Sequence, residues 1–215
     1  MLIKERIITH TENLPLKNDT KVSHEDIRFE EALLDPPSGL VILMHKPIGY
    51  VCSHDEGEGR LVYDLLPDRW RRRDPKISTV GRLDKETSGL LLLTDDGALL
   101  HRLTSPKHKV PKVYKATLDR PLQGDEIEIF DSGMLMLNGE KNPCLPAKLT
   151  IIDETHVTLE ITEGRYHQVR RMFAAVGNHV TTLHRSNFGD VIIDAMNVGE
   201  YRVLSAEECS YLTLT

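Results

Sequence analysis

One stretch constrains this chain more than any other. Val80-Gly81-Arg82-Leu83-Asp84-Lys85-Glu86-Thr87-Ser88-Gly89 runs without interruption into four consecutive leucines, Leu90 to Leu93. A continuous apolar run bounded by turn signals reads as a strand. An Arg-Leu-Asp set between glycines just before it holds a carboxylate beside its own counter-ion at the edge of a sheet. A site is built this way when an aspartate, here Asp84, must stay ionised near an anionic ligand. Taken alone, the same short ion pair also fits a surface salt bridge in a turn.

The 215 residues suffice for one large or two small domains. No apolar run reaches membrane-spanning length and the N-terminus lacks a signal-peptide layout, so a cytoplasmic protein without a membrane partner is expected. Cys52, Cys144 and Cys209 are widely spaced and read as reduced, structural thiols. The net charge of -6 argues against a nucleic-acid partner only on average. Gly97 to Leu118 contains no acid but has Arg102, Lys107, Lys109, Lys112 and Lys115; Gly164 to Gly189 contains none but has Arg165, Arg170, Arg171 and Arg185. Arg69, Arg71, Arg72, Arg73 and Lys76 form a third cluster. If these converge they make a polyanion track on an acidic body; taken singly, each is a solvated surface.

Asp35-Pro36-Pro37-Ser38-Gly39 marks a boundary, giving domains 1–37 and 38–215. Leu40 to Met44, Ser78 to Val80, Leu90 to Leu93, Val113 to Leu118, Leu145 to Ile152, His156 to Ile161, Val180 to His184 and Tyr201 to Leu204 read as strands. Leu61 to Leu66 is at most a short helix. Thr94 or Asp95 caps a helix to Leu103, and another covers Asp125 to Phe130. The clearest helix follows Gly164: Val169, Met172, Phe173 and Val176 recur at i, i+3, i+4 and i+7, and Gly177 ends it. Ser205 opens a last helix with a Ser-x-x-Glu capping pattern. Strands and helices interleave without a regular βαβ rhythm, which predicts an α+β fold with a mostly antiparallel or mixed central sheet and flanking helices.

His45-Lys46-Pro47-Ile48-Gly49-Tyr50, then Gly81-Arg82-Leu83-Asp84, then Thr104-Ser105-Pro106-Lys107-His108 with Lys112-Val113-Tyr114, then Glu163-Gly164-Arg165-Tyr166-His167-Gln168-Val169-Arg170-Arg171-Met172 stand in one order. Together they resemble the RsuA group of ribosomal RNA pseudouridine synthases, over Leu40 to the C-terminus. Gly164 to Val180 looks most like the branch acting on 16S rRNA. The resemblance implies the pseudouridine synthase catalytic fold and isomerisation of uridine, most narrowly of the kind made at position 516. That reaction breaks the C1'–N1 bond, turns the base and rejoins it through C5, with no redox change. No cofactor and no metal is implied, and His45, His108 and His167 lack the spacing of a zinc site.

By resemblance Asp84 is the catalytic carboxylate, Arg170 and Arg82 are its electrostatic support, and Tyr114 packs on the target base. On residue type alone, Arg170 is an exposed helix arginine and Tyr114 a core tyrosine on a strand. Lys46, Lys107, His108, Lys109, Lys112, Arg165, His167, Gln168 and Arg171 are expected to contact RNA. Lys46-Pro47-Ile48-Gly49 lacks P-loop spacing and reads as a structural motif bordering the cleft. Arg6 to His10 and Asp19 to Phe29 resemble only the strand-forming tail of an S4-type RNA-binding module, and the helical part is missing. The expected partner is 16S rRNA in an assembling small-subunit particle, acted on by a monomer. The rival readings are the same chemistry on 23S rRNA, a non-catalytic RNA-binding protein, and a nucleosidase that does not rejoin the bond.

Overall fold

The computed structural model describes residues 7–9, 21, 27–29, 32–36, 38–193 and 195–214. They fall into two units, Met1–Leu40 and Val41–Thr215. In the first, β1 (Ile7–Thr9), β2 (Ile27–Phe29) and β3 (Ala32–Leu33) form an antiparallel sheet, with Ile8 opposite Arg28 and Phe29 opposite Ala32. Most of the stretch read as an S4-like tail, residues 6, 10–20 and 22–26, lies outside the described residues.

The second unit is built on one mixed sheet of nine strands. In chain order its elements are β4 (Val41–Lys46), α1 (Asp68–Arg71), β5 (Ser78–Thr79), β6 (Thr87–Thr94), α2 (Gly97–Thr104), β7 (Lys112–Leu118) and α3 (Glu126–Asp131). There follow β8 (Lys148–Ile151), β9 (His156–Ile161), α4 (Gln168–Ala175), β10 (Val180–Phe188), β11 (Val191–Ile192), β12 (Tyr201–Val203) and α5 (Ala206–Leu214). The strand order is β12-β4-β6-β10-β7-β9-β8, with β5 on β6 and β11 on β10. Every pairing is antiparallel except the seam between β6 and β10, which is parallel and joins two antiparallel halves.

The two continuous apolar runs are neighbours: Ile42 pairs with Leu93, Leu43 with Leu92 and Met44 with Leu91. All six are fully buried. Leu43, Leu90 and Leu92 join Leu103, Phe188, Leu204 and Leu212 in one cluster. Ile42, Met44, Leu91 and Leu93 alternate onto the opposite face and are buried there too, which is why neither run alternates with polar residues. Each such side chain contributes about 1.5–3 kcal/mol of burial, so this pair of strands anchors the unit.

The expected α4 forms with Val169, Met172 and Phe173 buried, and Gly177 follows at φ +76. The Ser205 pattern closes as a capping box: Glu208 N–H donates to Ser205 Oγ (3.2 Å) and Ser205 N–H to Glu208 Oε2 (2.8 Å). β6 and β10 run longer than expected, to Thr87–Thr94 and Val180–Phe188, and two further boundaries differ for a local reason. The α2 cap is Asp96, whose Oδ1 accepts from the N–H groups of Ala98 (2.9 Å) and Leu99 (3.0 Å), because β6 carries Thr94 into the sheet and leaves Asp95 buried against Arg73 at 2.5 Å. The strand expected from Leu145 begins only at Lys148, since Pro146 has no N–H and that of Leu145 is taken by Glu163 Oε1 at 2.9 Å. Among the described residues no helix is long and apolar enough to cross a membrane.

Candidate active site

Strand register brings together residues that are far apart in sequence. Thr87 pairs with Leu183, Gly89 with Arg185, Arg185 with Tyr114, and Lys112 with Ile161. Paired residues share a face, so β6, β10, β7 and β9 pave one floor. Above it lies a cleft of about 710 Å³ whose lining includes Asp84, Tyr114, Lys112, Arg185, Tyr166 and His167. Gly89 makes the floor possible. A Cβ there would sit 2.2 Å from the Arg185 carbonyl oxygen, and the residue adopts φ +113, a region that L side chains avoid.

Asp84 sits in the turn that enters β6, and its backbone is held from three sides. The Thr87 N–H donates to Asp84 O at 3.0 Å. The Lys46 ammonium, fully buried at the end of β4, donates to the carbonyls of Pro47 (3.0 Å), Asp84 (3.1 Å) and Thr87 (2.9 Å). Desolvation lowers the Lys46 pKa from its ordinary value, and the charges of Cys52, Asp84 and Glu86 oppose that shift. From the other half of the sheet, Arg170 donates to Glu86 O (3.1 Å) and Val180 O (2.7 Å). The chain is thus gripped at Asp84 and at the residues just after it, while the carboxylate remains about a third exposed (33%) at the cleft.

Among the described residues, the Asp84 carboxylate faces His167, whose Nε2 lies 3.4 Å from Oδ1, a contact that is ionic when the imidazole is protonated. His167 precedes α4 in a left-handed conformation, φ 50 and ψ 33, which points its ring back toward the carboxylate. Sequence reasoning assigned the role of counter-ion to Arg82 and Arg170. Arg82 lines the cleft and is exposed, and Arg170 grips backbone carbonyls near Asp84. The Tyr114 ring is buried to 9% exposure and lines the cleft. It is therefore both a core tyrosine and a pocket wall.

The residues expected on RNA divide into distinct groups. Lys107, His108 and Lys109 are exposed in the turn beside Ser105 and Pro106 at the rim. Lys112 lines the cleft, half-buried, with its ammonium 5.6 Å from the centre of the Phe188 ring. Desolvation, and secondarily the charge of Arg185, bring its pKa down to about 8. Lys46 is corrected: a fully buried ammonium satisfied by three carbonyls holds the Asp84 turn and does not face RNA.

Arg165, Gln168 and Arg171 are engaged inside the protein. Arg165 donates to Glu163 Oε2 (3.1 Å), Asn142 O (2.8 Å) and Pro143 O (2.5 Å). Gln168 donates to Glu163 Oε1 at 2.7 Å and accepts from Arg165 N–H at 2.9 Å. Arg171 donates to Glu140 Oε1 (2.8 Å), Asn138 O (2.8 Å) and Tyr166 O (3.1 Å). Sequence reasoning missed Arg185, a 2% exposed guanidinium on the floor that donates through Nε to Leu90 O at 2.8 Å. Its one available signal was an arginine inside a strand-like run. Among the described residues no group of His, Cys, Asp and Glu is arranged to hold a metal ion.

Comparison with known proteins agrees with this geometry. A family model described as RNA pseudouridylate synthase matches residues 40–175. A ribosomal small subunit pseudouridine synthase A from Vibrio cholerae is 50% identical over 168 residues, covering 78% of this chain and 71% of that protein. One from Pasteurella multocida is 44% identical over 210 residues, covering 96% and 89%. A crystal structure of a pseudouridylate synthase superimposes with a TM-score of 0.76 at 42% identity, covering 97% of this chain and 89% of the other. With a matching family model across most of the sheet and relatives this similar along nearly the whole sequence, the chain belongs to the RNA pseudouridylate synthase family.

Proposed function

We propose that this chain isomerises a uridine of 16S rRNA to pseudouridine, at position 516, and that Asp84 is the carboxylate that does so. One observation carries the reading. A partly exposed carboxylate, gripped through its backbone by Lys46 and Arg170, stands over a floor that contains a buried tyrosine. Breaking a glycosidic bond needs a carboxylate placed at C1', either to attack the sugar or to stabilise its cation. Rejoining through C5 needs the freed base to stay in place while it turns. Tyr114 supplies an aromatic surface for that base, and its hydroxyl is proposed to take part in removal of the C5 proton. His167 holds an imidazole nitrogen beside Asp84, and Arg170 acts as a positioning residue through the Glu86 carbonyl.

The relatives' names place their activity on the ribosomal small subunit. For this chain, the substrate is proposed to be 16S rRNA already shaped in an assembling particle, with a monomeric, cytoplasmic enzyme acting on it. The internal engagement of Arg165, Arg170 and Arg171 supports this, because it leaves Arg82, Lys85 and Lys112 as cations lining the cleft, with Lys107 and Lys109 exposed next to its Ser105–Pro106 rim. Extruding a paired base costs about a few kcal/mol, and RNA that already presents the base in a loop avoids much of that cost. The first unit is proposed to be an S4-like accessory to binding.

The test is carbodiimide mapping of pseudouridine in 16S transcript, partly assembled small subunit and 23S transcript, incubated side by side at one salt concentration. A new pseudouridine in 16S RNA, strongest in the particle, with unchanged mass, is the expected result. Modification of 23S RNA instead would overturn the substrate, and release of free uracil would overturn the isomerase assignment.

A further inference from the structure

Tyr166 is an unusual residue to find at a rigid rim. Its side chain is 72% exposed, it lines the same cleft as Asp84, and its ring lies flat on His167, with centroids 3.9 Å apart and planes 18° apart. An aromatic ring standing in water contributes little to folding, yet much of the surrounding chain is organised around it. Arg171 holds the Tyr166 carbonyl and is itself tied to Glu140 and Asn138. Arg165 ties the preceding backbone to Asn142 and Pro143, and Gln168 bridges Arg165 and Glu163. His167 takes a left-handed conformation that a non-glycine residue adopts only when its surroundings enforce it. These bonds fix the backbone that carries the ring, and the stack on His167 sets its plane, so less order is lost when a ligand binds to it.

We propose that the Tyr166 ring is a stacking platform for the nucleobase next to the target uridine in the RNA chain. The proposal rests on the reading of this cleft as a uridine site. A base extruded into the cleft leaves its neighbour without a stacking partner on one side. The open face of Tyr166 offers a replacement one side chain away from Asp84, because the ring beneath it, His167, is the one that meets the Asp84 carboxylate. A flat π-surface without hydrogen-bonding groups on its face suits a base of any sequence. It also explains why Arg165 and Arg171, which flank Tyr166 in the chain, are engaged with protein carbonyls and carboxylates: they brace the platform.

The experiment uses an RNA fragment containing the target uridine, with 2-aminopurine at the position before or after it. At one of the two positions, emission in the wild-type complex is expected to be lower than in the Tyr166→Ala complex, and Tyr166→Phe should match wild type. Tyr166→Leu keeps bulk without an aromatic face and should behave like Tyr166→Ala. In turnover assays the Ala and Leu variants should raise KM by about 5- to 150-fold, the range of one base–aromatic stack. Their single-turnover rate at saturating enzyme should stay close to wild type. Equal emission in wild-type and Tyr166→Ala complexes at both positions overturns the proposal, as does a Leu variant with wild-type KM. A loss confined to the chemical step would instead show that the ring acts through His167 on Asp84. An effect seen only on the assembled particle would mean that Tyr166 meets a ribosomal protein. Failure of the wild-type enzyme to form any pseudouridine would refute the activity and not the platform.

Discussion

Replacing Lys46 by methionine keeps an unbranched stem of similar volume and deletes the ammonium. Three carbonyls then lose a donor: Thr87 O in a buried bond, Pro47 O and Asp84 O in partly buried ones. An acceptor orphaned in the interior costs about 1–3 kcal/mol, and one that can regain water about 0.5–1.5 kcal/mol. The sum is about 2–6 kcal/mol. Methionine also relieves the desolvation of a buried charge, the main cause of the lowered Lys46 pKa, which places the expected loss toward the lower end, about 2–4 kcal/mol. For a chain of this size that is a fall in Tm of about 4–16 °C. The functional effect should be larger than folding alone accounts for, because the released carbonyl belongs to Asp84. A small displacement of a reacting group costs up to about a hundredfold in rate, so the single-turnover rate on 16S RNA should drop by about ten- to a hundredfold in protein shown to be folded by circular dichroism. A Lys46→Met enzyme that melts within about 2 °C of wild type and turns over within about twofold of it would refute the claim that Lys46 holds the catalytic turn.

Asp84→Asn should abolish release of tritium from uridine labelled at C5; since the Asp84–His167 contact is exposed and worth less than about 1 kcal/mol, Tm should barely move. Gly89→Ala forces a Cβ to within 2.2 Å of the Arg185 carbonyl, so the seam must open, and urea unfolding should show a loss of about 3 kcal/mol or more. Lys112 has a folded pKa of about 8, below the ordinary 10.5, so the unfolded chain holds the extra proton between those values. The stability owed to this group therefore rises with pH across that window. Its contact with RNA follows the opposite sign: the cation is lost above about pH 8, so affinity should fall there, and Lys112→Met should flatten the fall when binding is measured from pH 7 to 9.

Local patterns were legible in the sequence because they depend on neighbours in the chain. The Val169, Met172, Phe173 stripe with Gly177 after it, the Ser205–Glu208 box and the strand His156–Ile161 all appear where the residues indicated. Asp84 and Tyr114 were found through their motifs, and both reach the cleft. What stayed hidden depends on partners distant in sequence. A charged side chain reads the same in a sequence whether it faces water or a carbonyl, so Arg165 and Arg171 looked like phosphate contacts and Lys46 like a surface lysine. Lysine is almost never fully buried, and the exception became visible only when β4 was laid beside the Asp84 turn. The parallel seam was equally hidden, although Gly89 inside a strand was a sign of close backbone approach.

That seam also bears on the order in which the protein becomes an enzyme. β4, β5 and β6 pair with one another within a short span of chain, and β7, β8 and β9 do likewise, whereas Ser88 and His184 across the seam are 96 residues apart. Contacts between distant segments are slow to form. During synthesis at roughly 5–20 residues per second, the Asp84 turn leaves the ribosome about 5–20 seconds before the strand that completes its floor. A nascent chain therefore carries the Asp84 carboxylate for that interval without Arg185, His167 or the Arg170 grip. The cleft comes into being as a late event of folding, since its floor is incomplete until β10 has been made.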